Sequence, residues 1–254
     1  MSLTSSLPTL TFLGVRVHNV DSAEALVILD ALIRERAPHQ VVTVNPEFVM
    51  AARRVPEFRD VLNRAALALP DGIGLLLAAR IQGGRLKERV TGVDTVTRVA
   101  ALAAQRGYRL FLLGAAPGIA EETARRLVEA NPGLQVAGTH SGSPAPEEED
   151  EIVSRIRAAA PDVLFVAYGA PKQDIWIARN LGRLSVPVAM GIGGAFDFIS
   201  GRAKRAPAWM QRTGLEWLHR LVRQPWRWKR MLALPQFLLL VVGERIVSGI
   251  KARQ

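Results

Sequence analysis

Between Thr11 and Met190 the chain alternates two hydrophobic rhythms. Short apolar runs recur at Thr11–Val17, Gln40–Val44, Ala66–Leu69, Arg109–Leu113, Leu134–Ala137, Asp162–Ala167 and Pro187–Met190. Runs of that length without strict alternation predict strands buried on both faces. Between them apolar residues return at helical spacing. Asp21 can cap a helix to about Glu35, with Ala25, Leu26, Leu29 and Ile33 on one face. Thr91 can cap another that ends near Gly107, and Pro117 stands where a helix begins ahead of Ile119–Ala130. Glu147 to Ala159 reads as a helix with an acidic first turn, the sign its dipole favours. Strands alternating with helices predict an α/β fold: a Rossmann-like, mainly parallel sheet with helices on both faces. No internal repeat is visible. Residues 1–201 form the expected Rossmann-like domain and residues 202–254 a basic, Trp-rich helical appendage.

Open sheets of this kind bind ligands beyond the carboxyl ends of their strands. Five of those ends carry glycine, proline or polar side chains: Asn45-Pro46-Glu47, Pro70-Asp71-Gly72-Ile73-Gly74, Gly114-Ala115-Ala116-Pro117-Gly118, Tyr168-Gly169-Ala170-Pro171-Lys172-Gln173, and Gly191-Ile192-Gly193-Gly194-Ala195-Phe196-Asp197. Together they are expected to line one crevice.

The 254 residues contain no cysteine, which excludes disulfides, thiolate metal sites, iron–sulfur clusters and cysteine nucleophiles. Met1 to Leu10 has no basic stretch leading into an apolar core, so no signal peptide is expected. The net charge of +10 is localised. Residues 202–254 hold 12 of the 33 Lys and Arg but only Glu216 and Glu244 of the 23 acids, which leaves 21 of each sign in the body. Trp209, Trp217, Trp226 and Trp228 lie in the same segment. A basic, Trp-rich tail on a neutral body points to an anionic surface, either membrane or nucleic acid.

At the strand ends, Asp71 sits in a turn that can expose a carboxylate able to deprotonate a hydroxyl, although an Asp-Gly there also suits a helix cap. Thr43 and Asn45 share one side of an extended segment, and both can equally satisfy local backbone groups. Lys87, Arg89 and Lys172 can neutralise a diphosphate or simply be solvated. Gly114 to Gly118, and Gly191 to Gly194, can present backbone N–H groups to phosphate or form tight turns. Neither is the dinucleotide fingerprint, and the Walker pattern is absent. His18, His39, His140 and His219 lack metal-ligand spacing and no Asp-x-Asp pair occurs, so no metal is expected.

In the tail, helical spacing over Trp209 to Arg223 places Trp217, Leu218, Leu221 and Val222 opposite Arg220 and Arg223, with an interruption at Pro225. Met231 to Gly243 is strongly apolar yet falls short of the roughly 20 residues a spanning helix needs. Tryptophan, basic residues and an apolar stretch describe an interfacial membrane element. Interleaved aromatic and basic residues also suit single-stranded nucleic acid, and packing onto the body or a second subunit is the plainer use. The Leu- and Val-rich stretch after Arg230 has no use on nucleic acid, so the membrane reading is preferred.

The motifs together resemble one family. Thr43-Val44-Asn45-Pro46, Pro70-Asp71-Gly72-Ile73-Gly74, Glu88-Arg89-Val90-Thr91-Gly92-Val93-Asp94, Gly169-Ala170-Pro171-Lys172-Gln173-Asp174, Gly191 to Phe198, Gly201 to Pro207 and Gly214 to Leu221 resemble, in order, the WecG/TagA/CpsF glycosyltransferases. The resemblance runs from about residue 11 to 235. It implies a bacterial enzyme that moves a sugar from a UDP-sugar to a polyprenyl-diphosphate-linked saccharide, with inversion and without a metal or other cofactor. The products it implies are exopolysaccharide, surface antigen or the teichoic acid linkage unit. By the same resemblance Asp71 is the general base, with Thr43 and Asn45 beside the reacting groups and Arg89 on the diphosphate. Gln173 and Asp197 match donor-contacting positions; Gly72, Gly114, Lys172 and Gly193 are expected around the substrate. Arg220, Arg227 and Arg230 match basic residues of an appendage that docks on the membrane and closes over the site. The expected partners are therefore the two substrates and an anionic membrane, with no nucleic acid, at the cytoplasmic face of the bacterial inner membrane. Apolar surface around the appendage is also compatible with a homo-oligomer. One departure is Gly138-Thr139-His140-Ser141-Gly142, where the family often has an aromatic; this stretch is expected to be a loop that shapes substrate choice. An oxidoreductase and a non-catalytic adaptor are the alternatives from other classes.

Overall fold

A computed structural model describes residue 4 and residues 6–223, 225 and 228–251, leaving out the side chains of residues 208, 212, 220, 229 and 248–251. The chain opens with an antiparallel hairpin, β1 (Thr9–Phe12) and β2 (Val15–His18), where the hydrophobic pattern predicts a single strand, Thr11–Val17. Leu13 and Gly14 both have positive φ, 49° and 84°, as a two-residue hairpin turn requires. A leucine in place of the usual Asn or Asp conceals that turn inside an apolar run.

After Asp21, α1 (Ser22–Glu35) begins with a complete capping box: Asp21 accepts from the Ala23 and Glu24 N–H groups, and Glu24 accepts from the Asp21 N–H. Next come β3 (His39–Val44) and two short helices, α2 (Pro46–Ala52) and α3 (Pro56–Arg64), each with proline at its first position. Then β4 (Leu67–Pro70) leads to α4 (Ile73–Ile81), and α5 (Gly92–Arg106) is capped by Thr91 and closed by left-handed Gly107, as expected. The remaining body is β5 (Arg109–Gly114), α6 (Ile119–Ala130), β6 (Gln135–His140), α7 (Pro146–Ala159), β7 (Val163–Ala167), α8 (Lys172–Leu184), β8 (Val188–Gly191) and α9 (Ala195–Ile199). The chain continues through α10 (Ala208–Thr213), α11 (Glu216–Arg223), α12 (Trp228–Met231) and α13 (Ala233–Lys251).

Six strands form one parallel sheet in the order β4-β3-β8-β7-β5-β6, with the hairpin outside it. The expected parallel α/β architecture is the one adopted. Alternate residues of β5 show why: Leu110 and Leu112 enter a core beneath α1, α5, α6 and α9, while Phe111 and Leu113 enter another beneath α7 and α8. A third core gathers Phe12, Phe48, Phe58 and Leu75 from the hairpin and α2 to α4.

The tail differs from the expected pattern in two ways. Gly214, left-handed at φ 76°, and Leu215 break the stretch between α10 and α11, well before Pro225. Helix α13 also packs against α2 and α4, with Phe237 and Val241 fully buried in the third core and Phe237 edge-on to Phe12. Part of the apolar Met231–Gly243 stretch thus completes a core. Among the described residues no helix is long and apolar enough to cross a membrane. Gly138 to His140, expected in a loop, instead form the end of edge strand β6 and pair with β5. A side chain at Gly138 would lie 2.7 Å from the Phe111 ring, so the strand passes that ring only with glycine there.

Candidate active site

Strands β3 and β4 end side by side, Val44 against Pro70, so Asn45 and Asp71 leave the sheet at one level. The Asp71 N–H donates to the Val44 carbonyl at 2.7 Å, and the Val90 N–H to the Pro70 carbonyl at 2.8 Å. These two bonds draw the segment carrying Arg89, Thr91 and Gly92 alongside Asp71. Between them Gly72 takes φ 130°, ψ 139°, a backbone that only glycine adopts readily, and lets the chain turn into α4. The result is a cavity of about 540 Å³ beyond the ends of β3, β4 and β8, walled by the segment from Arg202 to Ala206 and by α11 to α13. That is the place where open parallel sheets take their ligands.

Asp71 lies in this cavity and does not cap the helix that follows it; α4 has no side-chain cap. Its Oδ2 accepts from the Gly92 N–H at 3.3 Å, at the start of α5. Burial pushes its pKa from 3.8 up to about 6, against the pull of that N–H and of the Arg89 charge, with Glu216 and Asp94 adding to the rise. The carboxylate is therefore ionised at neutral pH while its proton affinity is close to that of an efficient general base.

Arg89 does not stand free in the cavity. Its Nη1 pairs with Glu216 Oε2 at 2.5 Å and its Nη2 donates to the Gln211 carbonyl at 3.1 Å. Arg205 Nε reaches the other Glu216 oxygen at 3.0 Å, and its two Nη atoms hold Asp94 at 2.6 and 2.9 Å. Asp94 also accepts from Thr91 Oγ1 at 2.6 Å. Burial disfavours the Asp94 charge, but Arg205 and Thr91 outweigh it and hold the group below its usual range. Two arginines and two carboxylates thus balance beside Asp71. Arg230 lines the cavity as well and binds Glu47 at 2.7 Å. Arg202, Lys204 and Arg223 complete its basic lining.

Of the residues expected at the site, Asn45, Asp71, Gly72, Arg89 and Arg230 share this cavity. Asn45 also uses its Oδ1 to cap α2 through the Phe48 N–H at 3.0 Å. Thr43 is buried behind the lining, its hydroxyl donating to the Gly191 carbonyl at 3.4 Å. Gln173 is fully buried and not at the cavity wall: its Oε1 accepts from the Gly169 and Gly193 N–H groups, both at 3.0 Å, and so ties together the turns after β7 and β8. Gly193 and Asp197 stand on that second turn and α9, beside Ile192, Gly194, Ala195 and Phe198, which do reach the cavity. Gly114 and Lys172 lie elsewhere, the first packed against Ala167 and the second exposed at the start of α8. The turn from Gly114 to Gly118 lines no part of the cavity, and its helix opens with Glu121 and Glu122, the wrong charge for phosphate. Helix α11 carries Arg220, whose side chain is outside the described set, and Arg227 is outside the described residues altogether. Trp217 and Arg223, expected on opposite sides of that helix, both face the cavity.

Asp94, Arg205 and Glu216 were given no role by the sequence, although all three stand in the motifs quoted above. Their charged partners lie 11 to 127 positions away, so no local spacing reveals the ion pairs. Among the described residues, no group of three or more His, Asp or Glu side chains could hold a metal ion.

The family model described as "Glycosyl transferase WecG/TagA/CpsF family" matches residues 10–250. Two relatives, from Bacillus subtilis (strain 168) and Bacillus spizizenii (strain W23), carry the name N-acetylglucosaminyldiphosphoundecaprenol N-acetyl-beta-D-mannosaminyltransferase. The first is 37% identical over 204 residues, 80% of this chain and 79% of the relative. The second is 38% identical over 209 residues, 82% of this chain and 80% of the relative.

Proposed function

The chain belongs to the WecG/TagA/CpsF glycosyltransferase family, and from that premise we propose that it transfers an N-acetylmannosaminyl residue from its UDP-sugar to a polyprenyl-diphosphate-linked N-acetylglucosamine. The enzyme is a hexosyltransferase of this family; the two sugars are those in its relatives' names. The observation that carries the reading is Asp71, raised in pKa and set in a cavity that Arg89, Arg202, Lys204, Arg205, Arg223 and Arg230 line together with Glu47 and Glu216.

In the proposed reaction the acceptor hydroxyl oxygen attacks the anomeric carbon while Asp71 takes its proton. The bond from that carbon to the UDP oxygen breaks on the opposite face, so the configuration inverts and no covalent enzyme intermediate forms. Charge on the departing diphosphate is met by arginine, Arg89 first, rather than by a metal. Asn45 lies beside Asp71 to orient the reacting groups; Thr43 and Gln173 act from behind, holding the glycine turns. Asp71→Asn tests the assignment. Turnover should fall by a factor on the order of 10²–10⁴ with UDP affinity preserved, because the amide keeps the shape and loses only the base. Near-normal turnover removes Asp71 from the role.

The same reading places the enzyme at the cytoplasmic face of the membrane, where such an acceptor is anchored. Trp209, Trp228 and Val222 are 56%, 53% and 73% exposed on the basic segment 202–254, an arrangement suited to an anionic lipid surface.

A further inference from the structure

Glu216 is shared by Arg89 and Arg205, two arginines that line the cavity with Asp71. Its two oxygens take one donor each from Arg89 and Arg205, and all three side chains are less than a quarter exposed. The other donors of Arg89 and Arg205 go to the Gln211 carbonyl and to Asp94. Electrostatically the cluster is neutral, with two guanidinium groups against Glu216 and Asp94. A diphosphate approaching Arg89 meets no net positive charge there and a carboxylate already seated on the fork it needs. Both anions cannot hold that position.

We propose that Glu216 is an internal stand-in for a substrate diphosphate, occupying Arg89 and Arg205 in the ligand-free enzyme and leaving them when the diphosphate binds. The proposal rests on the reading that a diphosphate is taken up in this cavity. Geometry favours displacement over a fixed role. Glu216 is the first residue of α11 and follows the left-handed Gly214, so its carboxylate is tethered at a helix end next to a bend. Asp94, at 41% the more exposed of the two carboxylates, lies within the first turn of the 15-residue α5 and is held by Thr91 as well as Arg205. When Glu216 leaves, Arg205 keeps Asp94 and Arg89 is freed. Diphosphate uptake is thereby coupled to release of the start of α11, the segment that roofs the cavity.

Nucleotide and lipid substrates both bring a diphosphate, so UDP and farnesyl diphosphate serve as separate probes against the full-length protein. Glu216→Gln should bind one or both about five- to tenfold more tightly than wild type, since a competing charge is removed and the shape retained. The probe that gains identifies which diphosphate Glu216 mimics. Loss of affinity, or no gain for either probe, overturns the proposal. Arg89→Ala separates this from failure of the underlying reading: if it binds both probes as wild type does, no diphosphate uses Arg89, whereas if it binds weakly while Glu216→Gln shows no gain, only the stand-in is wrong. Amide hydrogen exchange on the wild-type enzyme is independent of any variant's folding. Saturating UDP or farnesyl diphosphate should speed exchange at the start of α11; slower or unchanged exchange with both contradicts displacement.

Discussion

Asp71 meets two opposed requirements, enough burial to raise its proton affinity and enough contact with donors to remain ionised at neutral pH. Below about pH 6 it carries a proton and cannot accept another, so transfer should rise with pH through about 6 and level off above. The profile of kcat/KM over roughly pH 5 to 9 measures this. Asp174 is pushed by burial up to about 7 and titrates nearby, but it is fully buried away from the cavity. Asp174→Asn should therefore keep the acid limb; its disappearance there would assign the limb to Asp174. The folded-state value of Asp71 lies above that of the unfolded chain, so folding stability falls as pH climbs from about 4 to 6, and Asp71→Asn removes that loss. At this scale the site was partly legible. Asn45, Asp71 and Gly72 follow strand ends directly, where position alone implies a ligand. The bridge from Arg89 through Glu216 to Arg205 and Asp94 was not, because tertiary packing alone brings those residues together.

Among the elements, the sheet strands were legible as compact apolar runs between turns, except the polar end of edge strand β6, Gly138 to His140. The hairpin was not: Leu13 fills a turn position without breaking the hydrophobic pattern. Helices α2, α3 and α4 were passed over for a related reason, being 7 to 9 residues long and packed between the hairpin and the sheet. Helix α13 shows how one composition serves two ends. Its buried Phe237 and Val241 complete a core, while Leu239 and Ile246 on the same helix are 73% and 57% exposed. Phe237→Ala should cost about 3–5 kcal/mol of stability, the usual loss for a buried phenylalanine, and lower the thermal midpoint accordingly. A change near zero would mean that α13 is not docked on α2 and α4. Cutting the chain at 202 would likewise strip this core, so membrane binding is better tested by point substitution.

For the whole molecule, the charge distribution separates a balanced body from a tail that carries the entire excess of +10. Trp209→Ala combined with Trp228→Ala should weaken sedimentation with anionic liposomes several-fold and leave the thermal midpoint and UDP binding unchanged. Equal sedimentation of variant and wild type would remove the tryptophans from membrane docking. The tail also supplies Glu216, Arg223 and Arg230 to the cavity walls. Its basic, aromatic character was legible from composition, but its contribution to the cavity depends on how α11 to α13 fold back over the strand ends.

The activity proposed for the whole molecule is sugar transfer to a lipid-linked acceptor. The most direct measurement is mass spectrometry of the purified enzyme with UDP-N-acetylmannosamine, polyprenyl-diphosphate-N-acetylglucosamine and EDTA, with Asp71→Asn alongside. The wild-type reaction should yield an acceptor heavier by one N-acetylhexosamine unit, and the variant almost none. An unchanged acceptor in the wild-type reaction, or equal product in both, would contradict the proposed activity.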